Sequence, residues 1–425
     1  MRTIVFGDII FAESSQSFRA QKDAYMILVD GMIESLESKR PEEMEGDQFL
    51  DFRHKLIVPG FADLHLHAPQ FPNIGLGADM ELLPWLEKYT FPEESKYKDL
   101  DYARMVYRKL INRLWSAGTL YSGIYATIHE ESSTLLFDLL VQSGLYAKVG
   151  KVNMDRNSPD YYVEDTKESV AATERFILKN LRKSSRVTSI VTPRFVPSCT
   201  SELMQALGNL AATYDLSVQS HLDENRSEID WVCSLHPSSE SYAHVYQEFG
   251  LFGAQPTLMA HCIYCSEEEI RLLADSDVVA VHCPFSNANL ISGIMPVKTY
   301  LKQGVHVALG SDISGGHELS MPKVMVLSMQ LSKMLAVSNA MPNDFLSTVE
   351  AFYLGTKSGG SFFGKHGSLE PGYHGDFLVI DDESYRLREL SIEERLEKFL
   401  YVGRDEHIIH RFVDGQEVRK PFPEQ

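Results

Sequence analysis

The chain has 425 residues, enough for one large domain or two ordinary ones, and its 44% hydrophobic content is that of a globular protein. Lys+Arg total 40 against 59 Asp+Glu, a net charge of −19, which argues against a nucleic-acid backbone or an anionic membrane as partner but not against an uncharged base. The segment Met1 to Asp8 has no signal-peptide layout, no apolar run is long enough to span a bilayer, and the five cysteines are an odd number, so a cytoplasmic protein is expected.

The first residues read as short β segments: Thr3–Phe6, Ile9–Ala12 and Tyr25–Val29, with Asp30-Gly31 as a hairpin turn. The carboxy-terminal part has the same style, with a strand over Asp376–Asp381 and another over Ile408–Val413 before Asp414-Gly415. A small composite β-sandwich of residues 1–58 and 365–425 is expected from the two ends. Between them, over residues 59–364, short apolar strands alternate with amphipathic helices. The strands fall at Phe61–His67, Thr119–Ala126, Tyr146–Asn153, Val187–Phe195, Ser217–His221, Thr257–His261, Val278–His282 and His306–Asp312. Asp101 to Ala117 is the clearest helix. Eight strand-then-helix units predict an α/β fold, a (β/α)8 TIM barrel, whose chemistry sits at the carboxyl ends of the strands.

Those ends hold the unusual residues. His65 and His67 close strand one and, spaced by two, point to the same face. His221 closes strand five, His261 strand six, His282 strand seven and Asp312 strand eight. Imidazoles with a carboxylate and no thiolate suit Zn²⁺, with Fe²⁺ as the alternative. Glu224 follows His221 in the loop beyond strand five and is placed to shuttle protons, whereas Asp223, Glu228 and Asp230 read as solvated loop carboxylates. Cys262 and Cys265 have knuckle spacing but no second pair, and read as packing residues. Strand four ends Thr192-Pro193-Arg194-Phe195 without the lysine that would bridge two metals, and Lys148 and Lys151 belong to strand three, so one metal is expected. The segment from Asn73 to Lys98, rich in Pro, Glu and aromatics, is positioned to cover the site.

These motifs resemble the amidohydrolase superfamily, and within it the guanine deaminases. The resemblance is carried by Pro59-Gly60-Phe61 through His65-Leu66-His67-Ala68-Pro69-Gln70, Thr192-Pro193-Arg194-Phe195 and Ser220-His221-Leu222-Asp223-Glu224. Met259-Ala260-His261, His282-Cys283-Pro284 and Gly310-Ser311-Asp312 complete it, and it runs through nearly the whole chain. His-Ala-Pro-Gln and Thr-Pro-Arg-Phe are the specific parts; Ser311 and Cys262 depart from the residues common in relatives. The resemblance implies that His65, His67, His221 and Asp312 bind one Zn²⁺ per subunit, with His261 binding it or holding the attacking water. Glu224 would be the proton shuttle, with Asp312, His261 and His282 sharing catalytic duty. Gln70, Arg194 and Phe195 would hold guanine, bordered by His67 and His221. A homodimer is implied, with no nucleic-acid or membrane partner. A deaminase of another aromatic amine, such as a pterin or triazine, is the alternative, and a non-catalytic scaffold the second.

Overall fold

The computed structural model describes residues 1–341 and 343–423. Both ends of the chain build one sheet. Its order is Gln416–Glu417, Ile408–Val413, Phe377–Ile380, Gln48–Pro59, Arg2–Ser14, Ser17–Val29 and Met32–Glu37. The first two expected β segments are thus one strand of 13 residues, Arg2–Ser14, paired antiparallel with Ser17–Val29 and parallel with Gln48–Pro59. Asp30 (φ 49°) and Gly31 (φ 85°) both occupy the left-handed region, which is what a tight two-residue hairpin turn requires.

The expected two-layer sandwich is instead this single seven-stranded sheet. Alternation buries both of its faces. Ile10, Leu56, Val58, Leu378 and Ile380 point into the main core, whereas Val5, Ile9, Ile57, Phe377 and Val379 build a separate apolar cluster on the opposite face. Both faces are buried, so the pattern mimics paired sheets. One carboxy-terminal helix, Ile392–Val402, is locked onto the sheet by Arg395. Its guanidinium donates to Asp8, to both oxygens of Asp382 (2.8 and 2.9 Å) and to the His54 carbonyl (2.9 Å).

All eight expected central strands are present as parallel segments. Phe61–His67, Thr119–Tyr125, Tyr146–Gly150 and Val187–Ser189 form one four-stranded sheet; Gln219–Leu222, Thr257–His261, Val278–His282 and His306–Leu309 form another. The sheets do not merge into one continuous ladder. One seam is bridged by Val191 and Val218. At the other, the amide of Asp312 donates to the His65 carbonyl (2.8 Å) and that of His67 to the Ile313 carbonyl (2.9 Å). Strand four is interrupted: Thr192–Pro193 leaves its sheet and pairs with Val152–Asn153. Pro193 has no amide hydrogen to continue a ladder.

Strand one continues directly from the terminal sheet through Gly60, where a Cβ would lie 2.3 Å from a Leu120 side-chain carbon. The close approach therefore excludes any side chain and sets the height at which His65 and His67 emerge. Among the described residues no helix is long and apolar enough to cross a membrane. Removing one partner of a buried ion pair strands the other, at a cost of about 3–5 kcal/mol. Arg395→Met is therefore expected to lower unfolding stability by about that amount, read as a fall in the urea midpoint, whereas the half-exposed Arg175→Met should leave it within about 0.5 kcal/mol.

Candidate metal and ligand site

The carboxyl ends of the two parallel sheets converge on one buried group of donors. His67 lies opposite Tyr125 in the strand-one/strand-two register, and Leu222 opposite His261 in strands five and six. The backbone turns sharply as the strands end: Asp223, His261 and Asp312 all have positive φ, at 50°, 74° and 47°. Such strained backbone at a strand mouth re-aims side chains that a continuing strand would send to the sheet face. Gly310 lets strand eight approach strand one, since a Cβ there would sit 2.8 Å from the His65 Cβ.

The result is compact. His65 Nε2 lies 3.1 Å and His67 Nε2 3.5 Å from Asp312 Oδ1, and His261 Nε2 lies 3.8 Å from Asp312 Oδ2. The Nε2 atoms of His67 and His221 approach to 3.1 Å. Ligands about 2.0–2.1 Å from a tetrahedral ion are roughly 3.3 Å apart, so these spacings suit a divalent metal. Polar satisfaction points the same way: His65 Nε2 and His261 Nε2 are buried without hydrogen-bond partners. Outer partners fix the rings. His221 Nδ1 donates to the Arg194 carbonyl (2.6 Å) and His261 Nδ1 to Asn287 Oδ1 (2.9 Å), leaving each Nε2 as a lone-pair donor.

The electrostatics keep those lone pairs available. Burial, reinforced for His221 by the other imidazoles, holds His67 and His221 well below the usual histidine range. Burial alone would raise Asp312, but the imidazoles of His65, His261 and His67 outweigh it and keep the carboxylate ionised. Glu224 goes the other way: burial, then the Glu228 and Asp312 charges, push it well above the usual range, so it can hold a proton. Its Oε2 is 3.4 Å from His261 Nε2, and its Oε1 accepts from the Ser292 hydroxyl (3.4 Å).

A cavity of ≈ 370 Å³, partly open to solvent, lies over these groups. His67, His221, His261, Asp312 and Glu224 form one side. Gln70, Arg194 and Phe195 form another, and Leu82, Trp85, Leu86 and Leu290 complete an apolar roof. The Asn73-to-Lys98 segment does cover the site, and it is folded: Leu82–Trp85, Leu86–Thr90 and Phe91–Glu94 are successive helical turns.

Not every expected residue arrives. His282 is buried outside the cavity lining; among the described residues it makes no ion pair with Asp312, and burial drives it down to about 3. The amide of Gly310, in the next strand, donates to the His282 backbone carbonyl (3.0 Å), which ties the residue into the sheet. Asp223 and Glu228 are buried rather than solvated, and Glu228 caps the helix that follows Asn225. Asp223, Cys265 and Glu269 also gather, but both Glu269 oxygens already accept the Ala243 and Ser266 amides (3.1 and 2.9 Å), a helix-capping role. Lys148 and Lys151 are engaged elsewhere, by Ser217 (3.0 Å) and Glu164 (2.6 Å).

Sequence reasoning missed Tyr125, whose ring lies 4.5 Å from that of His67, and Asn287, which orients His261. It also missed Glu94, which holds Arg194 and Gln70. Only for Tyr125 was there a signal, since it closes a strand beside strand one. A Glu93-Glu94 pair in a covering loop reads as a solvated face.

Residues 56–418 match the Amidohydrolase family. Guanine deaminase of Dictyostelium discoideum is 41% identical over 408 residues, covering 94% of this chain and 88% of that protein. Guanine deaminase of Escherichia coli (strain K12) is 33% identical over 417 residues, covering 95% and 93%. The crystal structure of guanine deaminase from C. acetobutylicum with bound guanine in the active site superposes with a TM-score of 0.97 at 50% identity, covering 99% of this chain and 100% of that one. Loss of an outer-shell partner typically weakens metal binding about 10–100-fold. Asn287→Ala is expected to do so here, measured with zinc by chelator competition; an unchanged affinity would assign His261 to the water alone.

Proposed function

The chain belongs to the amidohydrolase family, and from that premise we propose that it hydrolyses guanine at C2, giving xanthine and ammonia. The observation that carries this reading is one cavity lined both by the His/Asp donors with Glu224 and by Arg194, Gln70 and Phe195. The first set suits hydrolysis; the second offers a guanidinium fork, an amide and an aromatic face to a flat, carbonyl-bearing heterocycle. We read the two parallel sheets as halves of one (β/α)8 barrel, supported by the hydrogen bonds across their seams. From the family resemblance we further propose a cytoplasmic homodimer.

His65, His67, His221 and Asp312, together with His261, are the proposed holders of one Zn²⁺. A bound zinc ion supplies hydroxide at neutral pH by lowering the pKa of water to about 7. Everything else falls to the chain. Arg194 and Gln70 set the ring in register, and Phe195 with the Leu82, Trp85, Leu86 and Leu290 roof excludes bulk water. His261, held by Asn287, fixes the water for attack on C2. Glu224 takes the proton that water loses and delivers it to N3 as the C2–O bond forms. The hydroxyl proton then passes through Asp312 and Glu224 to the amino nitrogen. The C2–N bond breaks, its electron pair leaves with ammonia, and C2 becomes a carbonyl. Atoms balance as guanine plus water to xanthine plus ammonia.

The test is an assay of purified, zinc-loaded protein with guanine, following ammonia and the ultraviolet change, beside a panel of pterins and aminotriazines. Turnover of guanine above the panel is expected, and none at micromolar enzyme would sink the assignment. General acid–base catalysis is worth about 10²–10⁴-fold. Glu224→Ala should therefore keep its zinc, by elemental analysis, while kcat falls by at least about that factor; zinc loss would show that the carboxylate serves the metal instead.

A further inference from the structure

We propose that Glu94 is the positioning residue that makes the cavity select a ring carbonyl over a ring amino group, by dictating which way the Gln70 amide faces and which donors Arg194 keeps free. The proposal rests on the guanine reading above, and adds to it the source of specificity.

Glu94 closes the helical roof at Phe91–Glu94, yet its side chain is fully buried. Both oxygens are used. Oε1 accepts from Gln70 Nε2 (2.8 Å); Oε2 accepts from Arg194 Nη1 (2.7 Å) and from the Tyr162 hydroxyl (2.9 Å). Burial, then the Glu94 charge, push the Tyr162 phenol well up, so it stays a donor. The opposite end of the Gln70 amide is also fixed, because its Oε1 accepts the Ser314 amide (3.1 Å).

These partners leave Gln70 one orientation. A carboxylate only accepts hydrogen bonds. Flipping the amide would set its carbonyl against Glu94 and its NH₂ against the Ser314 N–H, two mismatches in a dry site. Held as found, Gln70 has a second N–H uncommitted to Glu94. Arg194, with Nη1 engaged and its guanidinium 5.2 Å over the Phe91 ring, retains its other N–H groups. Both residues therefore offer donors to a ligand in the cavity they line. A carbonyl oxygen satisfies such a pair; an exocyclic amino group meets it donor to donor. Buried ion pairs are weak stabilisers compared with apolar packing. Glu94 and Arg194, 0% and 3% exposed, are thus better explained by the orientation they impose than by stability.

Specificity is a ratio of affinities, and its loss is distinguishable from a general weakening. The probes are hypoxanthine and adenine, which differ at the six-position and lack the reactive 2-amino group. Calorimetric titration of the full-length, zinc-loaded parent should show a preference for hypoxanthine. Glu94→Gln lets either amide rotate, so hypoxanthine affinity should fall at least about tenfold while adenine changes by less than about threefold. Zinc content should be unchanged. Glu94→Asp keeps an acceptor-only group set back by one methylene and should fall between the two; it carries the test alone if the glutamine variant does not fold. Equal losses on both probes, leaving the ratio intact, would show a merely structural role and overturn the proposal. A parent that neither prefers hypoxanthine nor turns over guanine would overturn the guanine reading itself, whatever the variants do.

Discussion

The structure depends on one electrostatic constraint: several imidazoles and a carboxylate share a dry space only a few ångströms wide. Burial holds His65, His67 and His221 below the usual histidine range. Arg194 and Asn287 hold the Nδ1 atoms of His221 and His261, which leaves their Nε2 atoms turned toward the shared space. Asp312 is the single firm negative charge among them, and it stays ionised because the rings surround it. Without a cation, buried polar atoms such as His65 Nε2 and His261 Nε2 go unsatisfied. The site is thus organised around a positive charge that its own residues do not supply.

Delivering these groups requires the rest of the fold to act as a jig. The terminal sheet runs without a break into strand one at Gly60, so its register sets the position of His65 and His67. Asp63, on the same strand, accepts the Ser311 amide (2.8 Å) and ties strand one to the loop carrying Asp312. The seam between strand one and the loop after strand eight is therefore tied at the level where the donors meet. A one-residue slip in strand one would turn both histidines away from the site.

The proposed recognition side is arranged by a second buried charge pair. Arg194 alone would bring an uncompensated positive charge beside a cation-binding centre. Glu94 neutralises it and joins the roof to the ends of strands one and four. Arg194 also reaches toward the metal side, since its backbone carbonyl holds the His221 ring. The His221 ring and the Glu94 carboxylate are coupled through that one residue.

Much of this was legible before folding was considered. Period-two spacing placed His65 and His67 on one face, alternation of strands and helices gave the eight units, and chain order put His221, His261 and Asp312 at strand ends. His282 satisfied the same rule but does not line the cavity, because being last in a strand does not decide which way a side chain points once the backbone turns. The terminal sheet was read as a sandwich because burial on both faces looks the same in sequence for one layer or two. Glu94, Tyr162 and Asn287 carried no local signal; each matters through a partner 26 to 100 residues away. The sequence by itself determined the donor chemistry and the strand ends that bear it, because residue type and short-range periodicity are local properties. Tertiary structure alone decided which donors meet, which carboxylate binds the recognition pair and which way an amide faces, because hydrogen-bond complementarity in a desolvated pocket exists only between groups the fold brings together.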